Sequence, residues 1–149
     1  MKFIPIFVYI FFLISGCTVN NSIKSEQKIS NIPKILNGTW NLKIENSQHK
    51  DLTTAIVSFS SEKANSCIGG NWKKLIVKSY KINGKQVFPI TEPLSYELDK
   101  NKLTIGRNEI CDGYLHLSGD LNHSKVIGNY YTFSISGVTN LGRWYLTPQ

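Results

Sequence analysis

Trp40, Leu42 and Ile44 alternate with Asn41, Lys43 and Glu45, and the same period of two recurs at Ala55, Val57 and Phe59 and at Leu94, Tyr96 and Leu98. Successive side chains of a strand point to opposite faces, so this alternation predicts strands with one apolar and one polar face. Similar runs cover Lys73 to Lys81, Gln86 to Ile90, Lys102 to Ile105, Tyr114 to Leu121, Val126 to Ser134 and Arg143 to Thr147. Asn83-Gly84, between two of them, predicts a hairpin, because a type I′ turn needs positive φ at both central residues. Lys100-Asn101, Asn122-His123 and Asn140 favour further tight turns. No segment carries apolar residues at i, i+3, i+4 and i+7 over three turns. The pattern predicts an all-β domain of about eight or nine short strands, whose even spacing favours a small antiparallel barrel or a sandwich. Closure into a barrel would leave no exposed strand edge.

Before residue 36 the pattern is different. Lys2 precedes an unbroken apolar run from Phe3 to Ile14, followed by the small residues Ser15 and Gly16. The run is twelve residues long, against roughly twenty for a bilayer span. A positive start, a short apolar core and small residues have the layout of an export signal. Residues 18 to 35 are rich in Asn, Ser, Lys and Gln, contain Pro33 and show no apolar period. They predict a flexible tether, reaching roughly 60 Å if extended.

Ile14-Ser15-Gly16-Cys17 resembles the lipobox of bacterial lipoproteins. The resemblance implies cleavage before Cys17, a thioether-linked diacylglycerol on its sulfur and a fatty acyl group on its new amino terminus. Each buried methylene contributes about 0.8 kcal/mol, and one chain alone attaches only marginally, so several chains make a lasting anchor. In that family an aspartate after the cysteine favours the inner membrane; Thr18 stands there, which implies the outer membrane. The expected organisation is a signal over 1–16, a lipidated cysteine and tether over 17–35, and a barrel domain over 36–149.

With the signal removed, Lys2 leaves, and the 17 Lys and Arg of the chain become 16 against 10 Asp and Glu. This charge of about +6 suits an anionic partner or a solvated basic surface. The lysines are scattered, without a basic stripe interleaved with aromatics or a helix-turn-helix pattern, so no nucleic acid is expected. Assigning Cys17 to the anchor leaves Cys67 and Cys111, and an even pair in an oxidising compartment predicts one disulfide. Closing that loop would stabilise by roughly 4 kcal/mol on a chain-entropy argument. A reactive thiol or a metal site is the competing reading; neither cysteine has a neighbour at ligand spacing.

Gly38-Thr39-Trp40 opens the first strand and Arg143, beside Trp144, lies in the last. This arrangement resembles the calycins, the group of lipocalins, fatty-acid-binding proteins and avidin-like proteins. The resemblance implies that Arg143 lies over the Trp40 ring and closes the barrel end, a role suited to a planar guanidinium.

His49, His116 and His123 form no metal spacing, and no cofactor or metal is expected. Glu109, Asp112 and Asp120 could supply a carboxylate pair only if the fold brings two of them to one cleft. Ser134, Ser136 and Gly137 do not make a nucleophile elbow, and Gly69-Gly70 lacks the partners of a phosphate loop. The chain is therefore not expected to be an enzyme. Tyr130, Tyr131, Phe133, Trp144 and Tyr145 alternate between two faces; one serves the core, the other is a candidate binding surface. The expected function is a non-catalytic binding module for an envelope protein or a small apolar ligand. The alternatives are a periplasmic inhibitor or immunity protein against a lytic enzyme, inserting the loop Ser61 to Asn71, and a lipoprotein resembling the pilotins of secretion systems. A hollow or a filled interior separates a small ligand from a protein partner.

Overall fold

The computed structural model describes residues 36–66, 69–85, 88–109 and 114–149. The expected signal, the expected lipidation site Cys17 and the expected tether, and the cysteines Cys67 and Cys111, lie outside the described residues. The alternating segments form eight strands: β1 (Thr39–Asn46), β2 (Asp51–Lys63), β3 (Lys73–Ile82), β4 (Leu94–Asp99), β5 (Lys102–Arg107), β6 (Tyr114–Asn122), β7 (Lys125–Ser134) and β8 (Gly137–Pro148). Each strand pairs antiparallel with the next, and β8 returns to β1, so the sheet closes as a barrel in chain order.

The period of two decides which residues fill the lumen. Trp40, Leu42 and Ile44 of β1 face Val57, Ala55 and Thr53 of β2 across the ladder, and all six are buried. Leu103 and Ile105 of β5, Leu117 of β6, Val126 and Tyr130 of β7, and Trp144 and Leu146 of β8 complete the core. A cavity wide enough for a ligand would leave its lining accessible. The bulkiest core side chains, Trp40, Trp144, Tyr130 and Phe88, are instead at most 2 % exposed. The lumen is packed with side chains, as protein interiors generally are. Two polar atoms in it, the Tyr130 hydroxyl and Trp144 Nε1, have no hydrogen-bond partner among the described residues, and a buried group left so costs about 1–3 kcal/mol. Burial also drives the Tyr130 phenol upward, out of the ordinary range.

Three sequence expectations are corrected. Residues 88–90 are not a strand: Phe88 and Ile90 turn into the core, where Phe88 meets Tyr130 edge to face at 5.9 Å. Their alternation reflects a segment plugged into the barrel. Asn83-Gly84 makes no type I′ turn, since neither residue has positive φ; the Asn83 N–H donates back to Leu52 O at 2.8 Å. Asn140 is no tight turn either. It lies inside β8 at a bulge opposite Tyr130 and Tyr131, where its Oδ1 accepts the Gly142 N–H. The hairpins at Lys100-Asn101 and at His123 do form, with positive φ at Lys100 and His123.

Candidate functional site

The late aromatics divide as the alternation requires. Tyr130 and Trp144 are wholly buried in the lumen. Tyr131, Phe133 and Tyr145 stand on the outer face, half-buried. Arg143 is also on the outer face and exposed, opposite Glu45 and Asn129, while Trp40 is sealed inside. The expected closure by Arg143 over Trp40 is therefore not made. The two side chains lie on opposite sides of the sheet, and five residues of register, about 16 Å, separate their positions along β1. Trp40 is held instead by its own Nε1–H, which donates to Leu36 O at 3.3 Å.

Around Tyr131 and Phe133 an aromatic layer covers the outside of β6 and β7. Tyr114 stacks on Phe133 at 4.4 Å, and His116 lies 5.2 Å from Phe133 and 5.9 Å from Tyr131. Trp72, at the end of the β2–β3 connection, covers His116 from 6.0 Å. Gly106 makes room beneath: a Cβ there would lie 2.7 Å from His116 Cδ2. His116 is thus buried although its register position faces outward. No sequence period announces this, because the covering group comes from a distant connection. The loop expected to insert into a target is tied down at both ends. Ser61 to Lys63 belong to β2, Ala64 N–H bonds Trp72 O, and Asn71 N–H donates to Glu97 at 2.6 Å.

Burial lowers the His116 pKa below its ordinary 6.5. The unfolded chain then takes up the proton first as the pH falls, so His116 leaves stability intact above 6.5 and removes it progressively from 6.5 down to the lowered value. We expect the urea midpoint to begin falling below about pH 6.5, and His116→Gln to remove that first step. Identical pH profiles for the two proteins would refute the assignment.

A second outer cluster centres on Glu45, which is 6 % exposed. Lys43 Nζ lies 2.6 Å from its Oε1, the Tyr145 hydroxyl donates to Oε2 at 3.2 Å, and His49 Nδ1 is 3.5 Å from Oε2. The Lys43 hydrogen bond holds the Glu45 carboxyl below its usual range. Lys43 also sits 5.0 Å over the Tyr145 ring. One cross-strand row, Tyr145, Lys43, Thr54 and Lys81, runs over β8, β1, β2 and β3 and lines an open trough of about 630 Å³. Of the candidate acids, Asp120 is exposed opposite Lys102, Glu109 is exposed beside Asn65, and Asp112 lies outside the described residues. Among the described residues no group of three His, Cys, Asp or Glu could hold a metal ion.

The barrel closes, but its β3–β4 seam is short. β3 pairs with β2 along most of its length but with β4 only at Lys73, Lys74 and Leu75. Ile76, Tyr80 and Ile82 on the remaining stretch are 45, 51 and 39 % exposed. Sequence reading missed this edge, since β3 alternates like any strand and nothing local announces that its neighbour departs.

No protein-family model, no curated protein and no solved structure matches this chain.

Proposed function

We propose that the chain is a lipid-anchored lipoprotein of the bacterial envelope, with its domain acting as a non-catalytic binding module for another envelope protein. The filled lumen carries this reading. A barrel that stores a small apolar ligand needs an interior pocket, whereas here the apolar side chains left exposed are Ile76, Ile127 and Val138 on the outer face and Tyr80 and Ile82 on the other face of β3. Exposed apolar side chains of that kind suit a protein partner. The inhibitor and the pilotin-like roles are both forms of protein binding; the lipobox-like Ile14-Ser15-Gly16-Cys17 supports a lipid anchor, and Thr18 after it supports the outer membrane.

Two finer features belong to the same proposal. A closed meander of eight strands with a tryptophan at the head of the first supports kinship with the calycins, with the departure at Arg143 noted above. A Cys67–Cys111 disulfide is supported by the residues two positions before each cysteine. Glu109 N–H donates to Asn65 O at 2.7 Å, and Asn65 Nδ2 lies 3.4 Å from Glu109 Oε1.

The test is native mass spectrometry of the full chain, expressed with its own leader and extracted in mild detergent, together with cross-linked capture from envelopes. We expect a diacylglycerol-sized mass on Cys17, a protein partner and no retained small ligand. A retained apolar molecule with no cross-linked protein would overturn the reading.

A further inference from the structure

β3 offers more than exposed apolar side chains. From Ile76 to Ile82 its side away from β2 makes no backbone hydrogen bond to any described residue. Each such N–H and C=O can pair with an added strand, which is how extended peptides dock onto sheets. A bulge at Lys78, between the pairs Ile56–Ser79 and Val57–Val77, sends Ile76 to one face and Tyr80 and Ile82 to the other. An added strand would therefore find apolar contacts on both of its faces.

The edge also forms one wall of a groove of about 530 Å³, with Ile76, Val77 and Tyr80 on one side and Ile90 and Pro93 on the other. Asn108 lines the same groove, is 5 % exposed, and its Oδ1 has no donor among the described residues. A buried acceptor without a donor costs about 1–3 kcal/mol, and a strand laid in the groove would bring backbone N–H groups to its wall.

Charge selects the occupant. Between Glu62 and Glu92 the chain carries Lys63, Lys73, Lys74, Lys78, Lys81 and Lys85 and no acidic residue. Lys74 is paired with Glu62 and Glu92 with Arg107, while Glu109 at the far end is exposed and close to Asn65. Lys78, Lys81 and Lys85 are exposed and make no ion pair among the described residues. A second copy of β3 would set these lysines against themselves, the usual defence of an edge against self-pairing. A strand bearing carboxylates pairs with the lysines along the edge and meets like charge only at Glu92, which is paired with Arg107, and at Glu109, both of which line the groove.

We propose that the free edge of β3 from Ile76 to Ile82 receives an extended, acidic segment of the partner protein as an added strand. The proposal rests on the protein-binding reading above and names its surface. The probe is a ten-residue peptide alternating Glu with Val, added to the full chain in detergent and followed by hydrogen exchange. We expect exchange of the amides between Ile76 and Ile82 to slow about tenfold or more, and K78E/K81E to weaken binding by about tenfold or more. A Lys-Val peptide should protect nothing. Equal protection by both peptides, protection by phosphatidylglycerol vesicles alone, or unchanged affinity in K78E/K81E would each overturn the proposal. Cross-linked capture separates its failure from that of the parent reading. A partner retained equally by K78E/K81E sinks the β3 edge alone; no partner with either protein sinks both.

Discussion

Gly128→Ala should abolish the folded barrel or cost more than about 3 kcal/mol, the upper part of the range for overpacking a core. Gly128 of β7 lies opposite Gly119 of β6 and opposite Trp144 of β8. A Cβ at this position would come 2.1 Å from Ser118 O, 2.5 Å from Trp144 Nε1 and 2.6 Å from Gly119 Cα. Two of these atoms are ladder backbone and cannot yield without breaking the β6–β7 pairing. The third belongs to an indole that is wholly buried in the lumen. The two glycines together thin the sheet where the largest side chain of β8 passes over it. Gly84→Ala is the control: its Cβ would meet only Leu52 Cδ2, at 3.4 Å, and its φ is not positive. We expect it within about 0.5 kcal/mol of the parent. Urea unfolding followed by tryptophan fluorescence decides the matter, and similar midpoints for Gly128→Ala and Gly84→Ala would refute the packing argument.

Trp40→Ala should cost about 3–5 kcal/mol, a large share of the 5–15 kcal/mol typical of a domain. Trp40 is 1 % exposed, meets the Phe59 ring edge to face at 6.2 Å, and donates through Nε1 to Leu36 O. Truncation leaves a cavity at the head of β1 and frees the bond that holds Leu36, itself fully buried, over the barrel end. Trp40→Phe keeps most of the apolar volume and loses the Nε1 donor, so it should cost about 1–2 kcal/mol. Arg143→Ala, on the exposed outer face, should change stability by no more than about 0.5 kcal/mol. An Arg143→Ala cost comparable to that of Trp40→Ala would reinstate the closure role that the geometry denies. Equilibrium denaturation of the three variants measures all of these differences.

The limits of sequence reading appear at particular residues. Phe88 and Ile90 alternate as strand residues do, yet they lie outside the eight strands and are plugged into the core. Period two marks burial on one side and cannot distinguish a ladder from a plug. Asn140 has the residue type of a turn, but it supports a bulge by accepting the Gly142 N–H, a local geometry that turn and bulge share. Arg143 carried an expectation drawn from a short motif, and its parity in β8 puts it outside, because Gly142, Trp144 and Leu146 take the inner positions. That parity follows from the alternation itself and could have been used against the motif.

Alternation by itself determined that residues from 36 onward make a β domain and, away from bulges, which residues of a strand share a face, because side chains of a strand must alternate and only one face can be removed from water. It likewise placed the late aromatics on two faces, and the structure decided that Tyr130 and Trp144 lie within and Tyr131, Phe133 and Tyr145 without. Only the tertiary structure decided that β8 returns to β1, that large inward side chains leave no lumen, and that Trp72 buries His116 on the outer face. It alone revealed that β4 leaves β3 after three pairs. Each of these depends on where a distant segment lies, and pairing between distant segments is set by packing of the whole rather than by any local period.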